Sequence, residues 1–339
     1  MMTADSLIDA FEAKRAMTIS KSQVKRLKAQ SGAPAFKDQA AIWLANGASR
    51  KRNPLRLRTL TTYRTSIRTL IPLIGELPLD TIGNKVLNDV AAALSVKGLK
   101  GKPLKPASIQ LILNVAKEIR ESARNEDGQP LYPCTWNAET IDAPVVDKRA
   151  QETPMASTQA IGEAIKRASP VTGALIAVLA STGMRVGEAL ALHLDVGGMQ
   201  TTVWNPEESK IIVREQRDGK TFGPPKTDAG IREVDLAPVV NDYLKRIFPP
   251  INPNGLLMFP LSESEYRSQI IEAGLQGGFH TLRRHRVTHI QLQGVPESLV
   301  KFWTGHAGIT VTDSYTKVGT EIQARKAQAE RVGIGFELP

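Results

Sequence analysis

Apolar residues recur at three- and four-residue spacing in a series of short windows, the signature of helices that bury one face. Over 36–44 the spacing aligns Phe36, Ala40, Trp43 and Leu44. Over 59–71 it aligns Tyr63, Ile67, Leu70 and Ile71, with Pro72 and Gly75 expected to end the helix. A third window, 84–94, aligns Val86, Val90 and Leu94. Pro106 suits the first turn of a fourth, whose stripe is Ile109, Ile112, Leu113, Ala116 and Ile119. From about 137 to 155 the chain carries prolines and no sustained period, which predicts a boundary.

Beyond it, helices are expected near 158–169 and 170–181, with a further one over 184–193 after the Ser-Thr-Gly break. Segments 211–214 and 231–236 have strand character, separated by a polar loop rich in glycine and proline. Helical windows follow at 238–247, 262–273, 281–293, 296–303 and 321–331. The expected fold class is mostly α with a small β-sheet in the C-terminal domain. The expected parts are an N-terminal segment 1–34 of uncertain role, a helical domain 35–136, a linker 137–154, a second domain 155–320 and a tail 321–339.

Charge changes this picture by giving the first domain a partner. The 339 residues carry a formal +10, and 1–150 hold 24 Lys/Arg against 14 Asp/Glu, whereas 151–339 hold 20 of each. Residues 50–68 contribute seven basic side chains and no acidic one: Arg50, Lys51, Arg52, Arg56, Arg58, Arg64 and Arg68. Lys100, Lys102 and Lys105 add a second basic loop. A polyanion explains this distribution, because each neutralised phosphate releases counterions; a merely solvated face is the alternative. One cysteine, Cys134, excludes an internal disulfide framework and a Cys-rich zinc site. The start lacks the apolar core of a signal peptide, and the apolar run at 175–180 is too short to span a bilayer, so a cytoplasmic, DNA-associated protein without a membrane partner is expected.

The side chains that could carry chemistry cluster in four stretches. In STGMRVGEALALHLDV, Arg185 could send a two-pronged fork to phosphate oxygens, with Glu188 three residues on either orienting it or forming an ordinary helix ion pair. In PPKTDAGIREVDL, Lys226 could protonate a leaving oxygen or simply face solvent. Arg232 on the following strand could contact DNA backbone or pair with Asp228 or Glu233. In HTLRRHRVTH, His280 and Arg283 share a face and could bind the same phosphate, with Arg284 beside them. His285 and His289 are four apart, but no adjacent carboxylate completes a metal set, so no metal or other cofactor is expected. In TGHAGITVTDSY, Gly305 would let His306 approach a ligand, and Tyr315 sits in a polar setting where its oxygen could become a nucleophile. Trp204 and Trp303 suit packing better than base stacking.

In order and spacing these stretches resemble the tyrosine recombinase (phage integrase) family across about 155–320; the basic helical segment resembles its core-binding domain more loosely. The resemblance implies catalytic roles for Arg185, Lys226, His280, Arg283, His306 and the nucleophile Tyr315, with Glu188 as acidic partner. It departs at Arg284 and His285, where the family usually has His-Thr, and at Thr304, where it usually has Leu. It further implies strand cleavage and rejoining at a specific site in double-stranded DNA through a 3′-phosphotyrosyl link. A homotetrameric synapse and accessory DNA-bending proteins belong to the same expectation, and the tail 321–339 could dock on a neighbouring protomer or, equally simply, pack in cis. A DNA-relaxing enzyme of type IB topoisomerase kind and a catalytically weak DNA-binding regulator on the same fold stand as alternatives.

Overall fold

A computed structural model describes residues 21–50, 55–98, 101–147, 153–194, 201–248, 257–306 and 318–339. The expectations placed on Lys51, Arg52, Lys100, Tyr315 and most of the N-terminal segment lie outside those residues. Contacts divide the chain into two units, Met1–Gln151 and Glu152–Pro339.

The first unit is helical: α1 (Lys21–Gln30), α2 (Phe36–Ala48), α3 (Leu57–Ile74), α4 (Asn84–Val96), α5 (Pro106–Glu121) and the single turn α6 (Ala138–Ile141). The stripe on α5 is the one its spacing predicts, with Ile109, Ile112, Leu113, Ala116 and Ile119 all buried. It meets Phe36 and Ala40 of α2, Ile67 and Leu70 of α3, and Leu87 and Val90 of α4 in one core. Helix α3 does not stop at Pro72 but runs to Ile74 and is capped at Gly75. A proline in the last turn deletes one backbone bond there, while the Gly75 amide still reaches the Ile71 carbonyl at 2.9 Å. Ile71 faces outward rather than into the core. With Leu57, Thr61, Arg64 and Arg68 it forms the exposed side of α3. No carboxylate among the described residues lies within ion-pair distance of Arg64 or Arg68.

The expected linker begins too early. Buried Arg120 donates from Nε to the Tyr132 carbonyl at 2.9 Å and from Nη2 to that of Pro133 at 3.2 Å. Asn84 and Asn88 donate to the carbonyls of Thr135 and Ile141, each at 3.0 Å, and Gln110 to that of Pro144 at 3.1 Å. Side chains thus supply the partners that a regular element would supply internally, and Ile141 completes the first core. An irregular segment fixed in this way leaves no periodic trace.

The second unit is built around a helix buried on all sides. After α7 (Thr158–Arg167) comes α8 (Pro170–Thr182), whose residues from Thr172 to Thr182 are all buried. Its uniformly apolar sequence fits that position. Helix α9 (Val186–Ala189) is only one turn long; the expected helix to 193 gives way to turns and then to β1 (His193–Leu194). Strands β2 (Val203–Asn205), β3 (Lys210–Val213), β4 (Gln216–Asp218), β5 (Thr221–Gly223) and β6 (Arg232–Asp235) follow. The main sheet has the order β1-β2-β3-β6, parallel in its first pair and antiparallel in the others. Strands β4 and β5 form a separate hairpin inside the expected loop, with Gly219 at φ 62° in its two-residue turn. Among the described residues the remaining helices are α10 (Pro238–Ile247), α11 (Glu263–Glu272), α12 (Phe279–Leu292), α13 (Glu297–Thr304) and α14 (Ile322–Val332). Both tryptophans pack: Trp204 donates to Asn241 Oδ1 at 2.9 Å, and Trp303 to Asp235 Oδ2 at 2.8 Å. No helix among the described residues is long and apolar enough to cross a membrane.

The tail packs on its own chain, the second of the two readings open from the sequence. Ala329, Val332, Ile334 and Phe336 are buried in the core of the second unit. Arg331 donates to the Gln293 carbonyl at 3.0 Å, and Arg246 to that of Pro339 at 2.7 Å. Phe336→Ala is expected to lower the unfolding free energy by about 3 kcal/mol, the usual cost of emptying an aromatic core site. Urea titrations at two protein concentrations check this: the midpoint shift should be the same at both.

Candidate active site

Glu188 lies at the bottom of the site with a fully buried side chain. Its carboxylate accepts from the Arg185 amide at 3.0 Å, from Arg185 Nη1 at 2.8 Å and from Arg232 Nη2 at 2.8 Å. Burial by itself would raise its pKa, but the Arg232 charge and the hydrogen bonds from Arg232 and Arg185 outweigh that and hold it below the ordinary carboxylate range. Three-residue spacing on α9 lets Arg185 and Glu188 meet. The pairing with Arg232 crosses from α9 to β6 and is invisible to local spacing.

Arg232 is therefore not a DNA-backbone contact. Its side chain is 1% exposed and pairs with neither Asp228 nor Glu233. Besides Glu188, it donates to the carbonyls of Trp303 and Gly230, each at 2.8 Å. It supports the turn after α13, where Gly305 adopts φ 62°. A Cβ on Gly305 would come within 2.8 Å of Arg232 Nη1 and 3.2 Å of the Ala229 carbonyl. The close approach that glycine permits here is to this guanidinium, not to a ligand as its neighbour His306 suggested.

Arg283 is held by neutral dipoles, and Arg185 adds one to its Glu188 pair. Arg185 Nη2 donates to the Gly305 carbonyl at 2.9 Å. Arg283 donates from Nη1 to the Gly183 carbonyl and from Nη2 to that of Thr304 at 2.7 Å. Gly183 ends α8 in the left-handed region, at φ 69°, and presents that carbonyl. Burial pulls the Arg283 pKa down to about 10, with the neighbouring Arg185 adding to it and Glu188 opposing. It therefore stays cationic at neutral pH.

His280 and Arg283 stand one turn apart on α12, and His306 follows Gly305. Arg185, His280, Arg283, Arg284 and His306 line one open cleft of about 550 Å³, with Met155 and Val287 among its apolar walls. The two histidines expose part of their surface, yet both are pushed below the usual imidazole range. For His280 the causes are partial loss of water, then Arg283 and Arg284. For His306 they are partial loss of water, then Arg283, Arg185 and Arg232. A pKa held below the ordinary imidazole range favours the neutral ring, which can donate one N–H and accept one proton.

Lys226 is exposed, in the segment between β5 and the turn Asp228–Gly230 rather than on the hairpin itself; it does not line this cleft. Arg284 donates to the Pro154 carbonyl at 3.0 Å at the cleft edge. His285 faces away into the core, its ring 6.0 Å from that of Phe336 and its Nδ1 3.2 Å from the Ala156 carbonyl. Thr304 is buried and bonds from Oγ1 to the Val300 carbonyl at 2.7 Å. The departures at His285 and Thr304 are thus core substitutions. Among the described residues no group of three or more His, Cys, Asp or Glu side chains could hold a metal ion. Of the exposed cations expected on the first unit, Arg50, Arg56, Arg58, Arg64, Arg68, Lys102 and Lys105 all reach the surface.

Two expectations follow for the free protein. Glu188→Ala would leave Arg232 buried without its counter-charge and should cost about 3–5 kcal/mol of unfolding free energy in urea. The second concerns pH. His280, His285 and His306 all have folded-state pKa values below the reference 6.5. The unfolded chain therefore binds more protons as pH drops through about 6.5, and stability present at higher pH is lost there. Urea midpoints at pH about 7.5 and 5.5 should fall in that order, in a window above the titration of the carboxylates.

No protein-family model and no curated protein matches the sequence. Solved structures do match it. The Tn1549 transposon integrase in complex with transposon right end DNA aligns over 88% of this chain and 99% of its own, with TM-score 0.61 and 17% identity. A lambda integrase dimer bound to a COC′ core site aligns over 93% of this chain and 87% of its own, with TM-score 0.56 and 15% identity. A mostly helical chain with small C-terminal sheets, divided at this point, has the two-domain tyrosine-recombinase-like fold.

Proposed function

We propose that this protein is a site-specific DNA recombinase that breaks and rejoins strands through a 3′-phosphotyrosyl intermediate. The observation that carries this reading is the convergence of Arg185, His280, Arg283 and His306 on one cleft above a buried Glu188. Two guanidiniums with donors to spare and two neutral imidazoles suit a phosphodiester whose nonbridging oxygens gain charge as it is attacked. The structures of similar fold were solved on transposon-end and core-site DNA, which agrees with the partner expected from the basic first unit.

The Tyr315 oxygen attacks the scissile phosphorus, and the bond to the 5′ oxygen breaks. Arg185 and Arg283 neutralise the nonbridging oxygens. His280 and His306 donate to those oxygens, and the free ring nitrogen of a neutral imidazole accepts the tyrosine proton and returns it when the tyrosine leaves. Lys226, on its exposed segment, delivers a proton to the departing 5′ oxygen. A 5′ hydroxyl of the partner strand then attacks the tyrosyl phosphate and the tyrosine leaves. One phosphodiester is exchanged for another, so the sequence balances without ATP or a metal. Exposed Arg64 and Arg68 on α3, with Lys102 and Lys105, supply phosphate contacts, while four protomers on two sites complete the exchange.

Trapping on a nicked site, with the 5′ fragment free to diffuse away, tests this in EDTA. Wild type should give a covalent protein–DNA band and Tyr315→Phe none; Lys226→Ala should slow the band's appearance by about a hundredfold or more. DNA binding without any band on a verified site would replace this reading with that of a DNA-binding regulator. Relaxation of supercoils without strand exchange would favour a type IB topoisomerase-like enzyme.

A further inference from the structure

The tail helix contributes a buried guanidinium that the reaction scheme does not use. Arg325 on α14 has a side chain only 1% exposed, and it lies 4.9 Å over the Phe302 ring. Its Nε donates to Asp235 Oδ2 at 2.9 Å, its Nη2 to Glu233 Oε2 at 2.6 Å and its Nη1 to the Gly319 carbonyl. Two of these partners sit on β6, and the third belongs to the turn Val318–Thr320.

Asp235 Oδ2 also accepts the Trp303 indole N–H at 2.8 Å. The carbonyl of the same Trp303 accepts Arg232 Nε, and Arg232 in turn holds the Glu188 carboxylate beneath Arg185. A continuous set of charge-assisted bonds therefore runs from α14 through β6 and α13 to the phosphate-facing arginine. Gly319 is four residues beyond Tyr315, so chain connectivity keeps the two Cα atoms within about 14 Å. A Cβ on Gly319 would lie 3.2 Å from the Phe302 ring, which backs the turn from the other side.

We infer that Arg325 is a positioning residue for the covalent step: by gripping Asp235 and the Gly319 carbonyl together, it ties the chain just past Tyr315 to the frame that holds Arg185 and Arg232. This deepens the recombinase reading and rests on it. Arg325 touches no DNA; it fixes the distance over which the nucleophile-bearing chain must reach the arginines, so its loss lowers the rate of attack and leaves phosphate binding alone.

The test uses the full chain with Arg325→Lys, which keeps a cation beside Asp235 but lacks the planar fork that reaches Gly319 as well. Glu233→Gln is its control: it removes one ion pair to Arg325 and leaves Asp235 and Gly319 in place. DNA affinity, urea stability and the rate of covalent adduct at saturating DNA are measured for each. Arg325→Lys should form adduct at least tenfold more slowly with DNA affinity within twofold of wild type, while Glu233→Gln keeps the wild-type rate. An unchanged rate in Arg325→Lys overturns the inference. So does an equal slowing in Glu233→Gln, which would make the rate follow stability alone. Should Arg325→Lys not fold, Asp235→Asn retains a carbonyl acceptor for Trp303 and weakens the grip on Arg325; the same slowing is expected there, and a wild-type rate again overturns the inference. A wild type that forms no adduct sinks the recombinase reading itself and this inference with it, whereas adduct in wild type with no effect of Arg325→Lys sinks only the inference.

Discussion

A single carboxylate organises the second unit. Glu188 has no contact with solvent, and its oxygens are shared between the guanidiniums of Arg185 and Arg232 and the Arg185 amide. Charges taken so far from water persist only when paired and hydrogen-bonded. That requirement fixes α9 against β6, and through Arg232 it fixes the end of α13. Four features of the cleft then follow from one buried charge: the direction of the Arg185 fork, the Trp303 carbonyl, the turn at Gly305 and the placement of His306.

The same logic explains what could be read from the sequence. Helices α2 to α5 and the later α10 to α14 were legible because each buries a stripe at helical spacing, and the second core needed the apolar run of α8. Arg185, His280, Arg283 and His306 were legible as a set because they fall in three short motifs, and the structure brings all four to one cleft. The role of Arg232 was not. In REVD charged residues occupy both faces of the strand, so alternation gives no sign of which side is buried. Strands β4 and β5 are three residues each, too short for a period, although Asp218-Gly219 carried the hairpin signal. The segment from Gln129 to Pro144 escaped because asparagine, glutamine and Arg120 side chains, rather than a regular ladder, satisfy its backbone.

The tail carries an apolar patch whose destination local sequence does not reveal. Ile334 and Phe336 follow a charged helix and look unaccompanied in sequence, which left a neighbouring protomer and packing in cis equally open. Their company is distant in the chain: His285 on α12 lies against Phe336, and His289 Nε2 donates to the Val332 carbonyl at 3.0 Å. Gly335, at φ 76°, passes so close to the His289 ring that a Cβ would overlap it. The histidine at 285 and this path of the tail are two sides of one packing solution.

The neutral carbonyls of Gly183, Thr304 and Gly305 have a consequence for the charge of the site. They orient Arg185 and Arg283 without cancelling them, so among the described residues three guanidiniums, counting Arg232, face a single carboxylate. Two positive charges are left over in a partly dehydrated cleft. Like charges held this close repel, as the lowered Arg283 pKa reflects, so an anion entering the cleft would relieve that repulsion as well as gain its own contacts.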